Sequence, residues 1–275
     1  MKKIIIPSLF FSFFMCTFFI TNASATSVLL YDLFGGTYYD AEKSSTNSED
    51  DLMCWAASAS NLLAWTGWGF PDSESFTDED DIFQYFQDHW TDQGGNVYYG
   101  IDWWFDGTNN SPTDPAVWSQ VNVAGGGFWT GETFSDYYLI SYNPTYWSYA
   151  MSNLEYLITN GYATSLSIKT DSGNAHAITV WGFEYDTFGY YSGIWVTDSD
   201  DHKNQTNPSN NLVYYDVTYN STSKAWYLQD FSDTDNWYIT QVFGLERNPV
   251  PEPATIILFG IGLLGVAGIA KKKYV

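Results

Sequence analysis

The amino-acid sequence predicts an α+β fold in which helices come first and an antiparallel sheet follows. Small and straight-chain residues follow Cys54, and apolar residues recur at helical spacing from Ile82 to Trp90. From Tyr162 onward, short runs of β-branched and aromatic residues alternate with turn residues, as in antiparallel strands. The chain is 45% hydrophobic and 20% aromatic, which excludes intrinsic disorder because so much apolar surface can offset the entropy of ordering.

The N-terminus has the parts of a secretory signal peptide. Lys2 and Lys3 precede an apolar run over residues 4–20, which is followed by the small-residue segment Ala23-Ser24-Ala25. We therefore expect residues 1–25 to be removed by signal peptidase. An uncleaved anchor helix is the alternative.

The C-terminus has a different signal. Pro251-Glu252-Pro253 is followed by an apolar segment over residues 254–270 and then by three lysines. At a rise of about 1.5 Å per residue this segment spans about 25 Å, just enough to cross a bilayer. We expect residues 26–248 to form one domain and residues 249–275 to form a separate segment with a transmembrane part at 254–270; a plain single-span anchor is the alternative.

This tail resembles the PEP-CTERM protein-sorting signal, since it has the Pro-Glu-Pro triplet, the short apolar span and the basic end in the right order. The resemblance implies a Gram-negative bacterium and processing by an exosortase-type sorting enzyme. It also implies export to the cell surface or extracellular matrix, with transient anchoring through the C-terminal segment.

The charge of the chain limits its partners. There are 32 acidic residues against 10 basic residues, which gives a formal net charge of -22. Nucleic acid is excluded as a partner, because its phosphates require Lys and Arg. Anionic membrane surfaces are repelled for the same reason, so membrane contact is expected only through the C-terminal segment. A solvated surface of a secreted protein is the simplest interpretation of the charge.

Export would leave Cys54 as the only cysteine, because Cys16 lies in the signal peptide. A buried inert thiol, an intermolecular disulfide and a reactive nucleophile are the three interpretations. Asp50 and Asp51 precede the predicted helix and Gly67 ends it, so Cys54 falls near the first turn. The helix dipole and the free N–H groups there stabilise a thiolate, which favours the nucleophile.

A histidine and an aspartate are predicted to meet on a hairpin. His176 begins a strand that runs to Tyr185, and a second strand from Tyr191 leads to Asp198. A turn centred on Thr187 would place His176 directly opposite Asp198, where a carboxylate could orient an imidazole. By contrast, His89 lies near the end of a predicted helix and is expected at the surface.

Cys54, His176 and Asp198 together provide a nucleophile, a base and an orienting acid, which is the chemistry of acyl transfer and peptide hydrolysis. No cofactor and no metal are expected. Asp198–Asn204 alternates oxygen ligands, but it lacks the central Gly and final Glu of a calcium-binding EF-hand loop.

Two blocks of the sequence resemble the IdeS/Mac immunoglobulin-degrading cysteine endopeptidases, which have a papain-like fold. The first block surrounds Cys54 and the second runs from His176 to Asp200. The shared residues are Asp50, Asp51, Leu52, Cys54, Ala56, Ala57, Ala59, Asn61, Leu63 and Trp65 in the first block, and His176, Ile178, Trp181, Gly182, Asp186, Gly189, Ile194, Val196, Thr197, Asp198, Ser199 and Asp200 in the second, with Val242, Gly244 and Leu245 near the end.

The resemblance implies a papain-like cysteine peptidase fold, with an N-terminal helical part carrying the cysteine and an antiparallel sheet carrying histidine and aspartate. It implies catalytic Cys54, His176 and Asp198, a supporting acid at Asp200, and Lys43 as the side chain that helps to bind the oxyanion. The implied function is an exported cysteine endopeptidase acting on a protein or peptide substrate. The antibody substrate of the family is not carried over, because residues 70–142 show no similarity.

Two other functions stay open at this point. A non-catalytic surface or matrix adhesin could keep the same scaffold and bind glycan or protein, with the Trp-rich stretches as stacking platforms. Other acyl-transfer chemistry on the same three residues, such as transamidation, is the second.

Overall fold

A computed structural model describes residues 25–44, 48–107, 123–142, 144–200, 211–232 and 235–249. Within these ranges the chain forms five α-helices and eight strands. The helices are α1 (Leu30–Phe34), α2 (Cys54–Thr66), α3 (Glu79–His89), α4 (Val97–Asp106) and α5 (Ala150–Thr159). The strands are β1 (Thr26–Leu29), β2 (Tyr138–Tyr142), β3 (Ala163–Thr170), β4 (Ala175–Tyr185), β5 (Tyr191–Thr197), β6 (Val213–Asn220), β7 (Ala225–Leu228) and β8 (Trp237–Leu245).

Six of the strands close into a ring. The order β4-β3-β8-β7-β6-β5 is continuous, every pairing is antiparallel, and β5 pairs again with β4. Strand β1 adds to β4 over Gly182–Tyr185, and β2 adds to β8. The last residues of β8 therefore bond to β2 on one edge and to β3 on the other.

The expected papain-like arrangement, with an N-terminal helical part and a separate sheet part, is wrong. The described residues instead form a closed six-stranded antiparallel sheet with few helices, and the first described element is a strand, β1, that pairs with β4 of this sheet. The chain still combines helices and strands. The strands from Ala163 to Leu245 lie close to where sequence pattern predicts them, but periodicity does not reveal that β3 pairs with β8, which lies far from it in the chain.

Helix α2 is the central helix of the core. Every residue from Trp55 to Thr66 is buried, and α2 contacts α3, α4 and the strands β3 and β4. Large rings fill the space beside it: Trp55 packs edge-on against Phe86 and Trp90. Gly67 ends the helix with a left-handed backbone, φ 83°, as its position in the sequence predicts.

The β4–β5 hairpin has a different register from the predicted one. The turn is centred on Phe188, because the Asp186 N–H bonds to the carbonyl of Tyr190 and the Asp186 carboxylate accepts the N–H groups of Phe188 and Tyr190. The ladder ends at Thr179 opposite Thr197, so His176 does not face Asp198 directly. Asp186 thus fixes a longer turn than the one assumed from the sequence.

None of the helices in the described ranges combines the length and apolar character needed to cross a bilayer. The expected signal peptide, up to residue 24, and the expected transmembrane part at 254–270 lie outside the described residues.

Candidate active site

Cys54 is the first residue of α2, the position that its sequence context predicts. Met53 precedes the helix, and its N–H bonds to the carbonyl of Asp50 at 2.9 Å, which turns the chain into the helix. Cys54 is half-buried and is the one free cysteine among the described residues. It is the first residue of a helix whose other residues are buried, so Cys54 lies where the core meets the surface.

His176 lies near the start of β4, where its backbone pairs with Ile168 of β3. The ring Nε2 lies 2.6 Å from Oδ1 of Asp198. The ring is also flanked by Phe231 and Trp237, with centroid distances of 6.0 and 6.3 Å. These contacts bury the imidazole and fix its orientation.

Asp198 is the first residue beyond β5 and is buried. Besides the imidazole, its Oδ1 accepts the backbone N–H of Asp200 at 3.0 Å. The carboxylate therefore reaches His176 from just past the end of the ladder, and the loop after β5 holds it in place.

The thiol of Cys54 completes the group. It lies beside the ring of His176 and the backbone N–H of Ala177, and both lower its pKa. Since Nε2 bonds to Asp198, Nδ1 is the ring nitrogen left for the sulfur. A thiol, an imidazole and a carboxylate are thus connected in that order.

The electrostatics of these three residues favour a thiolate and an imidazolium. Burial by itself raises the pKa of Cys54, but the His176 charge and hydrogen bond, together with the Lys43 ammonium, lower it below its ordinary value. Burial by itself lowers the pKa of His176, yet the Asp198 carboxylate and the Cys54 thiolate raise it well above its usual range. For Asp198, burial is again outweighed by His176, and its pKa is lowered.

Lys43 and Asp200 lie beside this group. The Lys43 ammonium is buried, bonds to Asp200 Oδ1 at 2.6 Å and donates to the carbonyl of Asp51 at 2.8 Å. Asp200 is 39% exposed, and its Oδ2 is 3.6 Å from Nδ1 of His176. The structure therefore brings together all five residues that the sequence singles out.

Among the described residues, one group has donors suited to a metal ion. His176, Asp198 and Asp200 each offer an atom within 4.8 Å of the others. These donors already bond to one another and to the Lys43 ammonium, which competes with a cation for the Asp200 oxygen. The expectation that the site needs no metal stays a prediction.

The remaining histidines have other surroundings. His89 ends α3 but is half-buried rather than at the surface: its Nδ1 bonds to the Tyr85 carbonyl, and its ring packs on Tyr85 and Trp103. The helix prediction could not show this, because Trp103 comes from α4. His202 lies outside the described residues.

Sequence reasoning missed the groups that surround the site, including the Ala177 N–H, Phe231 and Trp237. Ala177 is adjacent to His176 and could have been inferred from strand geometry. The two aromatic residues come from β8 and the segment before it, so no local signal links them to His176.

Comparison with known families gives two matches. Residues 122–238 match the family model described as Mac 1. Residues 249–272 match the PEP-CTERM protein-sorting motif. A comparison with curated proteins gives no match.

The two matches differ in what they cover. The Mac 1 match contains His176, Asp198 and Asp200 but begins after Lys43 and Cys54. The sorting motif indicates an exported protein that is targeted to the cell surface of a Gram-negative bacterium and processed by an exosortase, as the sequence predicts.

Proposed function

We propose that this chain is an exported, surface-associated cysteine endopeptidase that hydrolyses peptide bonds of a protein substrate through Cys54, His176 and Asp198. The observation that carries the proposal is the continuous contact from the thiol through the imidazole to the carboxylate, with each pKa shifted towards the ionised form. Perturbed pKa values at converging groups are typical of catalytic sites. The Mac 1 match over the segment that carries His176 and Asp198 supports the same assignment.

The proposed reaction has two stages. The Cys54 thiolate attacks the carbonyl carbon of the scissile peptide, and the His176 imidazolium donates its proton to the leaving nitrogen as the C–N bond breaks. The acyl group is then held as a thioester on Cys54. Water attacks that thioester while His176 takes its proton, which releases the acid and restores the thiolate–imidazolium pair. Asp198 holds the ring in orientation and stabilises its charge throughout.

We assign Lys43 and Asp200 to the support of this reaction. The first N–H groups of a helix have no partner within the helix, so the Cys54 N–H is available to an oxyanion. The Lys43 ammonium bonds to the residue three before Cys54 and adds positive charge beside it. Asp200 holds that ammonium in place.

The substrate is proposed only as a polypeptide outside the cell. Export and surface sorting limit the enzyme to extracellular targets. Antibody cleavage is not part of the proposal.

The first test is the reactivity of Cys54 towards iodoacetamide in the full chain, measured by mass spectrometry on the peptide that contains Cys54. At about pH 6, well below the ordinary thiol pKa of about 8.5, wild-type protein is expected to alkylate readily. His176→Gln should slow the reaction at least about tenfold, because a rise of one pKa unit reduces the thiolate fraction tenfold. His89→Gln is the matched control and should label at the wild-type rate.

The second readout is cleavage. Incubation with a mixture of unfolded proteins should generate new N-termini that are absent with Cys54→Ser. Slow labelling of wild type and His176→Gln alike would make Cys54 an ordinary thiol and favour the adhesin. Incorporation of added amines in place of hydrolysis would instead indicate transamidation.

A further inference from the structure

Helix α2 carries polar side chains on the same face as Cys54. Ser58 and Asn61 follow the cysteine at four and seven positions, which places all three on one side of a helix. Both are buried, in a helix whose neighbouring residues are largely Ala, Leu and Trp. Burying a hydroxyl and an amide is costly unless each is hydrogen-bonded, so their partners define what this face contacts.

Ser58 bonds to two strands of the closed sheet. Its Oγ lies 2.9 Å from Oγ of Ser165 on β3 and 3.0 Å from Oγ1 of Thr179 on β4. Ser165 in turn donates to the carbonyl of Ile178 at 3.1 Å. The helix is thereby fixed to the two neighbouring strands one turn after Cys54.

Asn61 bonds to three separate segments. Its Nδ2 donates to Thr179 at 3.1 Å and to Thr197 at 3.5 Å, and its Oδ1 accepts the N–H of Ala41 at 2.8 Å. The Thr197 hydroxyl also accepts from the indole of Trp181 and donates to the Tyr39 carbonyl. Every polar side-chain atom of Asn61, Thr179 and Thr197 therefore has a partner.

The partners of Asn61 are the segments that carry the candidate site. Thr179 lies three residues after His176 on β4, and Thr197 directly precedes Asp198. Ala41 lies two residues before Lys43. One amide thus joins the cysteine helix to the segments of the histidine, the aspartate and the lysine.

We propose that Asn61, together with Ser58, Thr179 and Thr197, is a positioning network that sets the distance between the Cys54 sulfur and the His176 ring. Apolar contacts are not directional and tolerate sliding, whereas hydrogen bonds require defined distances and angles. A shift of α2 by one residue would move Cys54 by about 1.5 Å, and a misplacement of about 1 Å can cost on the order of 100-fold in rate. The inference rests on the proposed function, since it concerns the geometry of the same catalytic group.

A merely structural role would also explain a fully bonded buried network, so the test needs a readout other than stability. That readout is the pH dependence of Cys54 alkylation, again measured in the full chain on the peptide that contains Cys54. The low thiol pKa depends on contact with His176. A displaced helix would raise that pKa, whereas a loss of stability that leaves the geometry intact would not.

The informative substitution is Thr179→Val, which removes the hydroxyl at nearly constant shape. The alkylation rate at about pH 6 is expected to fall at least about tenfold, while the rate near pH 10 changes by less than about threefold, equivalent to a rise of about one unit in the Cys54 pKa. Thr179→Ser restores the hydroxyl and should recover most of the reactivity at low pH. Ser58→Ala, which removes the bonds to Ser165 and Thr179 but leaves those of Asn61, should act in the same direction as Thr179→Val.

The matched control is Thr164→Val. Thr164 is a fully buried threonine on β3, and its hydroxyl bonds to the Tyr162 carbonyl outside the network. Its substitution should lower the melting temperature and leave the pH profile unchanged. Wild-type profiles in both Thr179→Val and Ser58→Ala would overturn the positioning role while leaving the proposed function intact. An ordinary thiol profile in wild-type protein would overturn both.

Discussion

At the scale of single residues, the partners of the Lys43–Asp200 ion pair differ in exposure. Removing one partner is therefore expected to destabilise the fold more than removing the other. The Lys43 side chain is 1% exposed, whereas that of Asp200 is 39% exposed. The carboxylate can recover water if its partner is removed, but the ammonium cannot. Removing the Asp200 carboxylate is therefore expected to cost more stability than removing the Lys43 ammonium, although both changes break the same ion pair.

We expect Asp200→Ala to destabilise the fold more than Lys43→Met. The first leaves a buried ammonium with the Asp51 carbonyl as its main acceptor, a change that costs about 3 kcal/mol or more. The second replaces the ammonium with an apolar chain of similar length and lets Asp200 hydrate, at a cost of about 1 kcal/mol. Urea unfolding of the two variants measures the difference, and a larger loss in Lys43→Met would contradict this account.

The residue types of the candidate site could be identified from the sequence, but its network could not. Cys54, His176 and Asp198 are recognisable because each has a chemistry that the surrounding pattern supports. Ser58 and Thr179 give no such signal, because serine and threonine are common in helices and strands. The helical spacing from Cys54 could have singled out Ser58, whereas Asn61 is already among the residues that resemble the known family.

At the scale of elements, the approach of β1 to β4 depends on a glycine. Gly182 pairs with Leu29, and a Cβ at this position would lie 2.5 Å from the Val28 carbonyl oxygen and 2.5 Å from Leu29 Cδ2. The backbone oxygen cannot move without disturbing the ladder. The missing side chain at Gly182 therefore allows β1 to pair with β4.

Gly182→Ala is expected to destabilise the protein by about 1–3 kcal/mol, since an added methyl group in close packing forces the backbone to shift. Gly131→Ala is the control, because a Cβ there meets nothing within 4 Å. Hydrogen exchange should show faster opening of β1 in the Gly182 variant. Unchanged protection of β1 would mean that the strand tolerates the extra atom.

Strand existence and strand pairing were predictable to different degrees. The runs that became β3 to β8 stand out in the sequence through β-branched and aromatic residues. The short strands β1 and β2 and the helices α1 and α4 were not predicted. The β4–β5 hairpin was expected, but the pairing of β3 with β8, which completes the ring, joins strands far apart in the chain, and no local pattern reports it.

At the scale of the whole molecule, repulsion between the acidic residues destabilises the folded state. The chain has a net charge of -22, and Lys43, one of its few bases, is buried in an ion pair. Folding brings the acidic residues closer together, and their mutual repulsion lowers the free energy of unfolding. Salt screens this repulsion, because the Debye length falls from about 30 Å at 0.01 M to about 3 Å at 1 M.

The melting temperature should therefore rise with added sodium chloride across that range. The stabilisation should be similar in Cys54→Ser, since it comes from the surface as a whole rather than from the site. Calorimetry at several salt concentrations measures it. A melting temperature that falls with salt would show that attractive ion pairs, rather than repulsion, dominate the surface.

The sequence by itself determined what depends on neighbouring residues. The start of α2 at Cys54, its end at Gly67 and the hairpin that brings His176 near Asp198 follow from local propensity and turn chemistry. The sorting motif at residues 249–272 is likewise read from a short segment. The register of the β4–β5 hairpin was predicted wrongly, because the hydrogen bonds of Asp186 centre the turn on Phe188 rather than on Thr187.

Only the tertiary structure decided which distant segments meet. Ring closure of six strands, the contact between Cys54 and His176, and the convergence of Ser58 and Asn61 on β3, β4 and β5 all join residues far apart in the chain. Each of these contacts costs the entropy of closing a long loop. Such contacts therefore form together, when the whole core packs and each one stabilises the others.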